Sequence, residues 1–238
     1  MHKLKNTSLT LFIIFIAFFS THSYATWSII AIDRETGEIG IVGASCTFDV
    51  SGIASIVPGK GAIVVQAGSN YFARMKGVES MNNGQSLNEI LTAMKDARFN
   101  PERQQYGVIL LNTDESPIVY SGAEIKDWNG EKISYDFAVL GNLLPGERVV
   151  ENAYKAFNTN RDKSLAERLM LALKAGEEAG GDKRCETQYA RSAFIMVYKP
   201  DDGAILKLAV QGIEKGGKPA VALLNQQFNY WRSEEVEK

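Results

Sequence analysis

Residues 26–45 read TWSIIAIDRETGEIGIVGAS. Trp27–Asp33 and Glu38–Ser45 are apolar, β-branched runs, and Arg34-Glu35-Thr36-Gly37 between them has turn chemistry. The stretch therefore reads as a β-hairpin. Neither run alternates strictly between apolar and polar residues. Short runs of this kind are strands covered on both faces, which calls for layers above and below.

Working outward, Pro58-Gly59-Lys60-Gly61 is a turn leading into a strand at Ala62–Ala67. Residues Asn70–Asn82 read as a helix. Ser86 and Glu89 form a capping-box pattern opening a helix through Asp96, with Leu87, Ile90, Leu91 and Met94 at core spacing. Strands are expected at Tyr106–Leu111, Pro117–Tyr120 and Tyr135–Leu140, and helices at Glu147–Phe157 and Ser164–Ala179. Ser164 and Glu167 repeat the capping box, and Gly180-Gly181 supplies the stop. Arg191–Lys199 and Ala204–Val210 form a last hairpin. Strands come in pairs and helices come in pairs, so the fold class is α+β, with two mainly antiparallel sheets packed together and flanked by helices. Residues 26–230 carry no linker, repeat or low-complexity segment and read as one domain, followed by a charged tail at residues 231–238.

The charge balance is 26 Lys+Arg against 28 Asp+Glu, which excludes a strongly basic nucleic-acid binder. Residues 1–25 are different in kind. Lys3 and Lys5 precede an apolar run at Leu9–Phe19, and Ser23-Tyr24-Ala25 places small residues where a leader is cut. This is the three-part pattern of a secretory signal peptide with cleavage between Ala25 and Thr26. The run is short of the roughly 20 residues of a membrane span, so no stable membrane insertion is expected after cleavage; an uncleaved N-terminal anchor is the other reading. Export points to a periplasmic or secreted bacterial protein. Both histidines, His2 and His22, lie in the leader. The mature chain then has no imidazole for a Ser-His-Asp or Cys-His site, and no metal or other cofactor is called for.

Cleavage would make Thr26 the first residue, immediately before a strand. An N-terminal Thr combines a hydroxyl nucleophile with its own α-amine as base. The unperturbed α-amine has a pKa of about 7.7–8.0, so its neutral form is well populated near neutral pH. A mature chain can also begin with Thr by chance.

Thr26-Trp27-Ser28-Ile29, Thr36-Gly37-Glu38-Ile39-Gly40 and Ala44-Ser45 resemble the opening of the DUF1028 proteins. Gln66-Ala67, Gly141-Asn142-Leu143 and Gly180-Gly181-Asp182-Lys183-Arg184 with Gln188 and Ala190 continue that resemblance in order. It implies membership of the N-terminal-nucleophile (Ntn) hydrolase superfamily, a four-layer αββα sandwich, and hydrolysis of an amide or related acyl bond in a small-molecule or peptide substrate. A non-catalytic domain binding a ligand or partner on the same scaffold is the alternative. The sequence leaves the oligomeric state open.

Around Thr26, an acyl-transfer site needs oxyanion donors, a group near the amine and a substrate anchor. Asp33 can orient the amine or place a cation nearby, or cap the hairpin turn. Ser45 can reach the Thr26 amine or hydroxyl, or simply end its strand. Gln66 and Asn142 can donate to an oxyanion or act as strand-end caps. Asp182, Arg184 and Gln188 can bind a polar or carboxylate-bearing substrate, or fix their loop. Lys60 reads as a solvated turn residue. Cys46 and Cys185 fall beside these segments, at positions usually not cysteine in the family. A two-cysteine exported chain most often pairs them; a bridge would close a loop of about 140 residues and stabilise by about 5 kcal/mol in the chain-entropy model. Cys46 as a thiolate nucleophile would lack a histidine partner.

The intact mass of the chain recovered from its export compartment is expected to fit a start at Thr26, lower again by two hydrogens for a Cys46–Cys185 bridge. A mass retaining Ala25, or starting beyond Thr26, would remove the nucleophile–base pair.

Overall fold

A computed structural model describes residues 25–201 and 203–236. Residues 1–24 of the expected leader (1–25) and the end of the charged tail lie outside the described residues. The opening stretch forms the expected hairpin, β1 (Thr26–Ile32) and β2 (Ile39–Ser45). Asp33 Oδ1 accepts from the backbone N–H of Glu35 and Thr36, and Gly37 takes a positive φ of 74°, so the Asp-to-Gly turn is closed by its own chemistry. The chain continues through β3 (Ala54–Val57), β4 (Gly61–Ala67), α1 (Tyr71–Asn82), α2 (Leu87–Met94), β5 (Gln104–Leu110), β6 (Ile118–Ser121), β7 (Trp128–Ile133) and β8 (Phe137–Leu144). It ends with α3 (Arg148–Thr159), α4 (Leu165–Glu178), β9 (Ser192–Lys199), β10 (Gly203–Val210) and α5 (Ala220–Val236). Both capping boxes are formed, Ser86 with Glu89 and Ser164 with Glu167.

The strands make two antiparallel sheets, one of six in the order β10-β9-β2-β1-β8-β7 and one of four in the order β3-β4-β5-β6. Three apolar layers separate four structural ones. Ile30, Ile32, Ile41, Leu140 and Phe194 of the large sheet meet Val64 and Ile109 of the small sheet. Trp27, Ile29, Val42 and Val139, on the other face of the large sheet, pack under α3, α4 and α5 through Phe157, Leu169, Leu173 and Leu224. Ile63, Val65 and Val108, on the other face of the small sheet, pack under α1 and α2 through Ala73, Ile90 and Met94. Successive residues of β1 thus serve opposite layers, which is why the strand reads as continuously apolar. The result is the four-layer αββα sandwich.

Three elements go beyond the expected set. β3 is only four residues long. β7, Trp-Asn-Gly-Glu-Lys-Ile, is polar because it is an edge strand with no fully buried residue. α5 packs through Ala220, Val221, Leu224 and Phe228 at helical spacing. β8 also runs past Leu140 to Leu144, with a bulge that places Leu143 at φ 53°.

Two close fits hold the start of β1. Trp27 Nε1 donates to the carbonyl of Leu173 at 3.3 Å. A Cβ on Gly176, one turn nearer the C-terminus of α4, would lie 2.6 Å from that same nitrogen, so only glycine lets the helix seat on the indole. The next residue, Glu177, has Oε1 buried without a hydrogen-bond partner. Burial pushes its carboxyl up from 4.5 to about 7, Glu178 adds repulsion, and Lys174 opposes both. The folded state therefore holds this proton more tightly than the unfolded chain. The corresponding stability is present below the unfolded value and is lost as pH rises through about 7. Glu177→Gln is expected to raise the melting temperature at about pH 8 and flatten its fall between about pH 5 and pH 8. An unchanged pH profile in thermal melts would contradict this.

Candidate active site

Directly opposed residues of an antiparallel pair share a face. Thr26 is opposed to Ser45 on one side and to Asn142 on the other, and Ser45 is opposed in turn to Ser192. The six-stranded sheet therefore ends in a polar row, Ser192–Ser45–Thr26–Asn142, on the face that looks toward the second sheet. All four residues are buried. Thr26 also lines a cleft of about 420 Å³ with Thr47, Phe48, Val50, Ile53 and Ala67. Its walls are mostly apolar, and the Phe48 ring stands exposed at 69%. Asp49 reaches the cleft as well, but its Oδ1 accepts from the N–H and hydroxyl of Ser51.

Behind the row a chain of buried amides crosses between the sheets. Ser28 Oγ donates to Gln66 Oε1 at 2.7 Å, and Gln66 Nε2 donates to Gln105 Oε1 at 2.7 Å. Gln105 Nε2 donates to Ser121 Oγ at 3.0 Å, while Asn142 Nδ2 reaches Gln105 Oε1 at 3.5 Å. Gln66 thus has both ends of its amide engaged, one to Ser28 across the sheets and one to Gln105 on the next strand of its own sheet, which argues for a bracing role. Asn142 keeps a buried Oδ1 with no hydrogen-bond partner among the described residues, directly beside Thr26. Ser28, Gln105 and Ser121 had no part in the sequence expectation. The signal for Ser28 was available: it is the only polar residue within the run Trp27–Ile32.

The other side of Thr26 is organised by Asp182, which is fully buried. Its Oδ2 accepts from the Cys46 backbone N–H at 2.7 Å and pairs with Arg184 Nη2 at 2.5 Å. Its Oδ1 accepts from the Arg184 backbone N–H and from Nε, each at 3.0 Å. The guanidinium held in this way extends Nη2 to the carbonyl of Ala25 at 3.0 Å and to Ser45 Oγ at 3.4 Å. Ser45 Oγ donates to the same carbonyl at 2.5 Å. Cys46 and Cys185 are joined in a disulfide that fastens the end of β2 to the Asp182–Arg184 loop.

The structure brings together Thr26, Ser45, Asn142, Asp182 and Arg184, with Gln66 one layer behind. Asp33 is not among them. It follows the far end of the seven-residue strand β1, about 20 Å from Thr26 at strand rise, and its carboxylate caps the hairpin turn. The idea that it orients the amine or places a cation nearby is corrected on that ground. Gln188 is also turned away from Thr26: its Nε2 donates to the carbonyls of Glu214 and Lys218, and its Oε1 accepts from the Gly216 N–H. It braces the loop before α5. Lys60 donates to the carbonyl of Asn82, so it pins its turn to the end of α1. Among the described residues no group of three or more His, Cys, Asp or Glu side chains is placed to hold a metal ion, and no helix is long and apolar enough to cross a membrane.

Fold and site together define an α+β sandwich whose central strand begins, at Thr26, between a buried Asp–Arg pair and a row of amides and hydroxyls. The chain belongs to DUF1028, a family of unknown function, whose model matches residues 26–218. It is similar in structure to the DUF1028 protein SPO2555 of Silicibacter pomeroyi, known from a crystal structure, with a TM-score of 0.72 and 23% identity over 87% of this chain and 85% of that one. That likeness bears on the fold. No curated protein matches the chain.

Asp182→Asn would leave the guanidinium without its carboxylate. Breaking a buried pair costs about 3–5 kcal/mol, and the partial exposure of Arg184 lowers the expectation to about 2–3 kcal/mol. The loss is expected as a lower urea midpoint at unchanged slope; an unchanged midpoint would mean that Asp182 does not anchor the loop.

Proposed function

We propose that the chain is an exported hydrolase of the N-terminal-nucleophile type, cleaving an amide or related acyl bond with Thr26 after removal of residues 1–25. The observation that carries this reading is the position of Thr26: first residue of the central strand, beside a cleft of about 420 Å³, with Ser45, Asn142 and Arg184 around it. The family match also begins at residue 26, and the sequence resemblance points to the same superfamily. Such a site needs no imidazole, which fits a mature chain without histidine.

In this reading the Thr26 hydroxyl oxygen attacks the substrate carbonyl carbon as the α-amine takes the hydroxyl proton. The tetrahedral intermediate collapses by breaking the C–N bond, and the departing amine leaves with that proton. Water, deprotonated by the α-amine, then attacks the resulting ester. This releases the acid and restores the threonine. Before cleavage the Arg184 guanidinium reaches the carbonyl that precedes this nitrogen, so it offers a cationic donor beside Thr26. Ser45 offers a hydroxyl at the same place.

The test is covalent labelling of the mature protein with a β-lactone probe, read by intact mass and peptide mapping. Labelling is expected on Thr26. It should be lost in Thr26→Ala and in a chain that begins at Ala25, which keeps the hydroxyl but ties the nitrogen into an amide. Labelling that survives either change would overturn the mechanism, as would a mature protein that takes no probe. The sandwich would then be read as a binding domain.

A further inference from the structure

Ala25 is fully buried, although the leader pattern marks it for separation from Thr26. Its immediate apolar neighbours form a small cluster of their own, Ala67, Ile125 and Leu143, distinct from the three main cores. They arrive from separate parts of the chain: the end of β4, the β6–β7 connection and the bulge of β8. Ala67 and Leu143 are held at φ 66° and 53°, a backbone region that residues with side chains seldom adopt. Strain of that kind persists only where the surroundings impose it, and it gathers at sites that hold a ligand. The carbonyl of Ala25 meanwhile accepts from Ser45 Oγ at 2.5 Å and Arg184 Nη2 at 3.0 Å. The end of the chain's expected leader is thus an acyl group with its oxygen clamped by a hydroxyl and a guanidinium, and with its methyl side chain buried in a cluster with Ala67, Ile125 and Leu143.

We infer that this enclosure is the acyl subsite of the mature protein, and that it takes short acyl groups, acetyl to alanyl in size. The inference rests on the hydrolase reading for its chemistry and adds the class of substrate. The Ala25 acyl group hangs from the Thr26 nitrogen. An acyl group on Thr26 Oγ1 hangs from an atom joined to that nitrogen through only Cα and Cβ, so both belong to the same neighbourhood. A substrate carbonyl brought to Thr26 Oγ1 then points its oxygen at Ser45 and Arg184, where negative charge develops as the tetrahedral intermediate forms. After hydrolysis the same two groups suit the product carboxylate. Ala67, Ile125 and Leu143 leave room for a methyl and oppose a larger side chain. The cleft past Phe48 then remains for the amine portion of the substrate, which is extended and largely apolar.

The experiment uses the mature chain with aminocoumarin amides of increasing acyl size: acetyl, L-alanyl, L-valyl and L-phenylalanyl. The expected order places acetyl and alanyl first, with kcat/KM for valyl at least about tenfold lower. Leu143→Gly, which suits the positive φ and removes one wall, is expected to raise the ratio of valyl and phenylalanyl to acetyl turnover; Ile125→Ala is the second variant should Leu143→Gly not fold. Turnover without size preference, or greatest for phenylalanyl, would overturn the subsite and leave the hydrolase reading standing. If no amide is turned over, the hydrolase reading fails, and binding of acetate, alanine, valine and phenylalanine to mature Thr26→Ala decides the subsite by calorimetry. Preference for acetate and alanine, relaxed by Leu143→Gly, supports it; equal binding or none overturns it.

Discussion

The carboxylate of Asp182 is the constraint on which the site depends. A buried anion with no partners would be prohibitive in a protein interior. Here it is met by the Cys46 N–H, the Arg184 N–H and two guanidinium nitrogens. Each of those contacts fixes something else. The Cys46 contact holds the end of β2 beside the first residue of β1. The guanidinium, gripped in the plane of a fork, extends Nη2 to the carbonyl preceding Thr26 and to Ser45 Oγ. Swinging the arginine away would strand the acid in the core, so the cation stays beside Thr26. The Cys46–Cys185 bridge ties the same two segments covalently.

A second constraint is the polarity of the inter-sheet layer at this end of the sandwich. Elsewhere that layer is isoleucine, leucine, valine and phenylalanine. Near Thr26 it changes to Ser28, Gln66, Gln105 and Asn142, all with no solvent exposure. Buried amides are costly unless paired, and a fully connected chain of them is rigid. Ser28 to Gln66 to Gln105 to Ser121 meets that condition; its Ser28–Gln66 bond joins the two sheets, and the other links run across the smaller one. Asn142 meets the condition only in part, since its Oδ1 has no partner among the described residues. A buried oxygen of this kind adjacent to Thr26 marks a place where the fold gives up some stability, as binding and catalytic sites commonly do.

The positive φ angles at Ala67 and Leu143 belong to the same economy. Both residues stand where strands leave the sheet plane at the edge of the Ala25 enclosure. A regular strand would carry these side chains onward along the sheet; the left-handed turn at Ala67 and the bulge at Leu143 redirect them toward the start of β1. Closing a small apolar wall around one residue therefore requires departures from ideal geometry in two separate strands.

Much of the architecture was legible in the chain itself. Covered strands announce themselves as unbroken β-branched runs, capping boxes mark helix starts through side-chain chemistry three residues apart, and Asp33 with Gly37 specifies its own turn. These are local interactions, so one segment suffices to read them. Thr26, Ser45, Asn142, Asp182 and Arg184 were also named as candidates from the sequence and its family resemblance. What only the tertiary structure decided is which of the candidates share a place. Asp33 and Thr26 lie seven residues apart in sequence yet at opposite ends of one extended strand, because a strand separates its ends in proportion to its length. Arg184 and Ala25 are far apart in the chain yet in hydrogen-bond contact, because the β2–β9 pairing delivers the Asp182 loop to the end of β2. The polar row, the Gln66–Gln105 link and the Ala25 enclosure arise from strand register and sheet-on-sheet packing, which couple residues with no local sequence relation.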